Sequence, residues 1–178
     1  ANLLFLLCLT SLLSAQSTIY VDAGASGSNN GTSWLNAFSS LDMALTSAQP
    51  GDQLWVAQGT YKPTVPFPNN SFTIVQGVKL YGGFLSGETV FAERNPALYP
   101  TILSGDIAGD DIEDNYTDNK IDNVLHVVQV NAGTSANAAI LDGFTVRSGQ
   151  TSLVTTDPAA NRRGAGMVIS GKIQVENC

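Results

Sequence analysis

From Thr18 onward, the spacing of apolar side chains divides the chain into short elements. Thr18 to Asp22 (TIYVD) alternates apolar and polar positions among β-formers and predicts a strand. Residues 23–34 (AGASGSNNGTSW) are Gly, Ser and Asn for the most part and predict a loop. Phe38, Leu41, Leu45 and Ala48 then recur with helical period. Ser39 with Asp42 supplies an S-x-x-D capping pattern near the start of that helix, and Pro50-Gly51 ends it. Beyond it the period falls to two. Strand-like runs follow at Gln53–Ala57, Phe72–Val75, Val78–Phe84, Thr101–Leu103, Val124–Val130, Ala139–Val146, Met167–Ser170 and Lys172–Glu176.

A weak repeat of the form Leu/Ile-x-Gly runs through these segments at Leu80-Tyr81-Gly82, Leu103-Ser104-Gly105, Leu141-Asp142-Gly143 and Ile169-Ser170-Gly171. Its spacings are 23, 38 and 28 residues. A solenoid returns the chain to the same edge each turn, and corner insertions lengthen single turns without disturbing the stack. The pattern therefore predicts an all-β fold: a parallel β-helix with an N-terminal capping α-helix over its first rung. Right-handedness follows from the preference for right-handed crossovers between parallel strands.

Leu3 to Leu13 (LLFLLCLTSLL) is a different kind of segment. Its eleven residues are almost wholly apolar, and Ser14, Ala15, Gln16 and Ser17 follow. A bilayer span needs about 20 apolar residues. The segment reads instead as the apolar core of a secretory signal peptide, with the cut after Ala15 or Gln16. Neither an initiating Met nor a Lys or Arg precedes the run, so the sequence is expected to begin inside the signal. Leu6 and Leu7 precede Cys8 where a lipoprotein signal would carry small residues. The expected organisation is a signal peptide at 1–16, then a cap and first rungs at 17–178, with further rungs beyond the last residue.

The order of short motifs after the leader resembles a known family. They are Ile19-Tyr20-Val21-Asp22, Asn30-Gly31-Thr32-Ser33-Trp34, Pro50-Gly51-Asp52, Leu54-Trp55-Val56-Ala57, Gly59-Thr60-Tyr61-Lys62-Pro63, Leu80-Tyr81-Gly82-Gly83-Phe84, Thr101-Ile102-Leu103-Ser104-Gly105-Asp106 and Leu141-Asp142-Gly143-Phe144. Together they look like the opening of the right-handed parallel β-helix repeat proteins of the pectate-lyase-like superfamily. That family includes large surface proteins of Bacteroidetes-type bacteria and resembles the chlamydial polymorphic membrane proteins. The resemblance implies export, a secreted or cell-surface (outer-membrane) location and a long β-helix, but no single activity.

Composition narrows the partners. The 178 residues are 43% hydrophobic and 13% charged, with 17 glycines, which suits a turn-rich β-protein with a real core. Net charge is −7 and the isoelectric point is near 4.4. Such a surface repels phosphate backbones and anionic membranes, so nucleic acid is excluded as an expected partner. Cys8 lies in the leader and Cys178 is the last residue, which leaves no internal disulfide after the cut.

The sharpest anomaly is an acidic run from Asp106 to Asp122. It holds Asp106, Asp110, Asp111, Glu113, Asp114, Asp118 and Asp122 against the single Lys120. Clustered hard oxygens suit Ca²⁺, and Asp106, Asp110, Asp111 and Asp114 are the candidate ligands, although the spacing is not that of an EF-hand. The competing reading is a solvated acidic corner loop. Gly109-Asp110-Asp111 resembles the paired aspartates of polygalacturonases, but the Gly-His-Gly and Arg-Ile-Lys that accompany them are missing. A lyase would use a Lys or Arg base, and Arg147, Arg162, Arg163 and Lys172 are available. Alternation places Phe144 and Val146 inward and Arg147 outward. His126, the only histidine, sits among apolar residues, so no Ser–His–Asp or metal–histidine set can form around it. Trp34, Trp55, Tyr61 and Tyr81 read as packing before sugar stacking. Asn30, Asn69 and Asn115 head N-x-S/T triplets and mark surface loops.

No catalytic residue and no required cofactor is assigned from these patterns. The expected function is a non-catalytic secreted or cell-surface protein, an adhesive or glycan-binding stalk that engages an extracellular glycan or a neighbouring surface. The alternative is an extracellular polysaccharide lyase or glycoside hydrolase acting on acidic polysaccharide from rungs further along.

Overall fold

The computed structural model describes residues 16–64, 71–115, 118–133, 138–150 and 166–178. The leader through Ala15, Arg162, Arg163 and the Asn69 triplet's first residues lie outside these. In chain order come β1 (Thr18–Val21), α1 (Leu41–Ser47), β2 (Gln53–Ala57), β3 (Gly59–Tyr61), β4 (Phe72–Val75), β5 (Lys79–Phe84), β6 (Thr101–Ser104), β7 (Val128–Gly133), β8 (Ala139–Asp142), β9 (Phe144–Arg147), β10 (Met167–Gly171) and β11 (Ile173–Glu176), with a 3₁₀ turn at Phe91–Glu93. Every strand pair is parallel. The strands form three sheets ordered β1-β2-β5-β8-β11, β10-β7-β4 and β3-β6-β9. β1 and β2 are neighbours in the first sheet, and from β2 onward consecutive strands go to different sheets: β2, β3 and β4 enter one each, as do β5, β6, β7 and then β8, β9, β10.

Parallel register puts like on like. Ile19, Leu54, Leu80 and Leu141 are paired neighbours across the first sheet. Phe72 pairs with Val128 and Ile74 with Val130. Tyr61, Leu103 and Val146 align across the third sheet. All but Ile19 and Val146 are buried, and those two pack against the same core. Burying one such Leu, Ile or Phe contributes about 1.5–3 kcal/mol. The helix enters this core with Leu41, Ala44 and Leu45, and the residues just outside it, Phe38 and Ala48, join it.

These observations correct the expected all-β right-handed parallel β-helix with a capping helix: the fold is mixed α/β, three parallel sheets with α1 packed into their common core. The Leu/Ile-x-Gly motif is not one recurring element. Leu80 and Leu141 belong to the first sheet, Ile169 to the second and Leu103 to the third. At Leu103, Leu141 and Ile169 the motif marks where an apolar strand ends, whereas Leu80-Tyr81-Gly82 lies inside β5. The helix also begins later than its periodicity predicts. Its N-cap is Ser40, without a side-chain cap hydrogen bond. Phe38 instead bridges to Val21, and Asp42 turns to accept from the Thr64 N–H at 2.7 Å and hydroxyl at 2.9 Å.

A second apolar cluster lies on the outer face of the first sheet. Alternation there turns Tyr20, Trp55 and Tyr81 away from the core, in register with one another. The loops at 23–37 and 85–98 fold over them. Trp34 reaches within 4.8 Å of the Tyr20 ring, and Phe91 within 5.8 Å of Trp55 and 4.8 Å of Tyr81.

The start of β1 is held by Asp52, which is 7% exposed. Its carboxylate accepts from the Ser17 N–H at 3.0 Å, the Ser17 hydroxyl at 2.7 Å and the Gln49 N–H at 2.9 Å. Burial alone raises the Asp52 pKa, but the donors from Gln49 and Ser17 outweigh it and hold the carboxyl below its ordinary value. A lowered folded pKa stabilises above the unfolded carboxylate pKa of about 3.9, and that contribution is lost as pH falls through the folded value. Asp52→Asn is therefore expected to lower stability at pH 7 by about 1–3 kcal/mol and to converge on the wild type in acid. Urea unfolding at pH 7 and pH 3 checks this; an equal deficit at both pH values contradicts it.

Candidate functional site

One end of the third sheet opens into a groove of about 870 Å³. The floor comes from Thr60 in the middle of β3, Ser104 at the end of β6 and Arg147 at the end of β9, with Ser104 and Arg147 paired in register. Three backbone segments are laced together there. The Gly105 N–H donates to the Arg147 carbonyl at 3.0 Å, Val124 to Gly105 at 3.0 Å and Gln150 to Val124 at 2.8 Å. Gly105 has to be glycine, since a Cβ would lie 2.3 Å from the Ser148 carbonyl oxygen.

The acidic segment forms the wall. Asp106, 8% exposed, caps its own loop: Oδ1 accepts from the Gly109 N–H at 2.5 Å and the Asp110 N–H at 3.2 Å, and Oδ2 from Asp111 at 3.3 Å. Asp111 pairs with the Lys120 ammonium at 2.8 Å and accepts from Asn123 Nδ2 at 3.2 Å. Burial raises the Asp111 pKa, but hydrogen bonds from Lys120, Ser148 and Asn123 and the charge of Lys120 together hold it below the ordinary carboxylate value. Lys62 crosses from beyond β3 and donates to the Ile107 carbonyl at 3.3 Å.

Two acceptors in this groove have no donor among the described residues. Asn123 is 3% exposed, its amide nitrogen is committed to Asp111, and its Oδ1 is left unpartnered. Gln150 Oε1 is likewise buried and unpartnered. Arg147 faces the groove, is exposed and forms no ion pair among the described residues. Phe144 and Val146 point inward beside it, as the alternation predicts.

Of the expected calcium set of Asp106, Asp110, Asp111 and Asp114, the structure brings Asp106 and Asp110 together. Asp106, Asp110 and Asp122 each present a carboxylate oxygen within 4.8 Å of the others. Asp111 is taken by Lys120, and Asp114 is an exposed residue at φ 60° on the groove rim. Spacing along the chain could not single out Asp122, because only the closure of the loop through the Ala108 N–H, 2.7 Å from Asp122 Oδ2, brings it to Asp106.

The remaining candidates are elsewhere. Lys172 is exposed between β10 and β11. His126 lies just before β7, where its carbonyl accepts from the Ser71 hydroxyl at 2.6 Å. Trp55 and Tyr61 are 8% and 3% exposed and serve as packing. No helix among the described residues is long and apolar enough to cross a membrane.

Comparison with family models, with curated proteins and with solved structures gave no match. The resemblance to right-handed parallel β-helix repeat proteins of the pectate-lyase-like superfamily is corrected accordingly. Its motifs are short strand ends and corners, which three parallel sheets and a core-packed helix account for without membership of that family.

Proposed function

We propose that this is an exported, non-catalytic binding protein that holds a polyhydroxylated, glycan-type ligand in the groove over β3, β6 and β9. The observation that carries the reading is the exposed Arg147 in this groove, which forms no ion pair among the described residues, together with two amide oxygens, Asn123 Oδ1 and Gln150 Oε1, that find no donor among those residues. A buried acceptor without a donor is costly, and ligand hydroxyls are donors of the right kind. The groove is lined by both charged donors (Lys62, Lys120, Arg147) and carboxylates (Asp106, Asp111), of which Arg147 alone forms no ion pair or side-chain hydrogen bond among the described residues. Export is supported by the apolar run Leu3–Leu13 and the small polar residues after it.

The test is a glycan array followed by calorimetry on the best ligand. Arg147→Ala and Gln150→Ala are each expected to weaken binding by roughly 5- to 30-fold, since one hydrogen bond is worth about 1–2 kcal/mol. Both are surface or rim positions, and melting temperature should be unchanged. Binding unaffected by either variant sinks the reading. Shortening of the bound glycan during incubation replaces it with the lyase or hydrolase reading.

A further inference from the structure

We propose that β11 pairs with β11 of a second copy of this chain, antiparallel and in a register centred on Gln174, and so closes a two-fold dimer. Among the described residues β11 ends the first sheet, with β8 on one side and no strand on the other. The Lys172 and Glu176 carbonyls accept from the Ala139 and Gly143 N–H groups on the β8 side, at 3.2 and 3.0 Å. Successive residues of a strand turn their hydrogen-bonding groups to opposite sides, so Ile173 and Val175 present theirs to the open edge. Such a row is a template for another strand. The far edge of the same sheet is closed by the chain itself. There Tyr20 donates to the Gly31 carbonyl at 2.9 Å and accepts from the Phe38 N–H at 2.9 Å, and Asp22 donates to the Phe38 carbonyl at 3.0 Å. Head-to-tail stacking is therefore blocked on the first sheet, which leaves β11 of another copy as the matching edge.

The side chains from Lys172 to Glu176 (KIQVE) complement themselves when the strand is reversed. About a two-fold at Gln174, Ile173 faces the partner's Val175 and Lys172 faces the partner's Glu176. The apolar pair lies on the core side, since Ile173 and Val175 continue the rows of Ala139 and Leu141. Val175 is nevertheless 45% exposed, and pairing covers it. Lys172, Gln174 and Glu176 alternate to the outer face. There Glu176 sits in register with Asp142, and like charges side by side are unfavourable. Arg94 is committed to Asp142, and neither ion pair among the described residues involves Lys172 or Glu176. The Glu176 carboxylate accepts from Gln174 Nε2 on its own strand, which leaves its charge uncompensated. The reversed register supplies each Glu176 with a Lys172 ammonium, twice by symmetry. Both ion pairs fall at non-hydrogen-bonded positions, where cross-strand side chains approach most closely.

Association of two copies does not rest on the glycan reading, so the test omits any sugar. Sedimentation equilibrium of the full chain at low ionic strength is expected to show monomer and dimer in exchange, with a Kd on the order of 10⁻⁵ M for so small an interface. Lys172→Glu and Glu176→Lys should each weaken the dimer by about tenfold or more, because each sets like charges opposite one another twice. Both positions are exposed, so the variants fold as the wild type does. The double variant Lys172→Glu/Glu176→Lys should regain wild-type association. An equimolar mixture of the two single variants should pair more tightly than either alone, since the two attractive contacts reappear across the mixed dimer. A chain that stays monomeric up to about 1 mM overturns the proposal. Growth beyond a dimer overturns it as well, and so does a dimer that both single variants leave intact.

Discussion

Replacing Arg94 with alanine is expected to lower stability by about 3–5 kcal/mol, the cost of stripping one partner from a buried ion pair. The arginine and its partner Asp142 are 11% and 6% exposed, and their charged ends are in direct hydrogen-bond contact. Arg94 also donates to the Gly82 carbonyl at 3.1 Å and the Asp142 carbonyl at 3.4 Å. Its guanidinium lies 4.9 Å from the Phe91 ring centre and 5.4 Å from that of Tyr81. One side chain thus ties the long excursion after β5 to the corner between β8 and β9. Among the described residues, the Asp142 carboxylate keeps the Asn177 amide, 2.7 Å from Oδ1, as its one side-chain partner when Arg94 is gone. The double variant Arg94→Met/Asp142→Leu should recover most of the loss, because it removes both charges together. Tyr81 gives a second readout. Burial and the Asp142 charge raise its pKa, and Arg94 lowers it. Arg94→Ala should therefore move the phenol higher and Asp142→Asn lower in an ultraviolet titration. A loss under 1 kcal/mol, with no change in the Tyr81 titration, shows that the pair is not coupled as described.

Asp142 shows why parts of this architecture were hidden in the amino-acid sequence. The run from Ala139 to Val146 predicts one strand, since nothing apolar is interrupted except by a single glycine. Gly143 adopts φ +82° and turns the chain from the first sheet to the third; a Cβ there would sit 2.8 Å from Pro96. The corner depends on a proline far away in the chain, which no local pattern can report. β3 was missed for a related reason. Gly59–Tyr61 is three residues long, and only its register with β6 makes it a strand. Phe72–Val75 is legible because alternation is a local property that its burial obeys, whereas Gln53–Ala57 is legible as a short apolar run whose residues from Leu54 on are all buried. The fold class is not legible along the chain because the Leu/Ile-x-Gly signature reads the same in all three sheets, while the place of α1 in the core depends on its contacts with β1 and β4.

The site was legible as a composition and not as a geometry. Seven acids in one segment announced an unusual loop. Which of them converge depended on backbone N–H groups that point Asp106 and Asp122 at each other while Lys120 claims Asp111. Arg147 was placed outward correctly by alternation alone, yet its neighbourhood arises from parallel pairing with Ser104. Asn123 and Gln150 carry no signal at all along the chain. Their interest lies in what each lacks in three dimensions, a donor.

The outer aromatic cluster supports the other large expectation: Trp55→Ala should cost about 3–5 kcal/mol and leave glycan binding unchanged. A sugar-stacking platform needs an open ring face. Trp55 is 8% exposed, and Phe84 covers it at 4.7 Å with the rings only 10° from parallel. Tyr20 meets it edge-on at 5.8 Å, and its Nε1 donates to Gln53 Oε1 at 3.2 Å. The ring joins β1, β2 and β5 from outside as the Leu54 row does from inside, so its loss opens a cavity that neighbouring aromatics cannot fill by small shifts. Trp55→Phe keeps most of the volume and the stack on Phe84, and should recover more than half of the deficit. Denaturant melts of the three proteins, paired with calorimetry on the ligand found for the groove, separate the two roles. Normal stability with lost binding would transfer the binding site to this face and remove the groove over β3, β6 and β9 from consideration. Lost stability with retained affinity assigns the two faces of the molecule different duties, one holding the first sheet together and the other left open to a ligand.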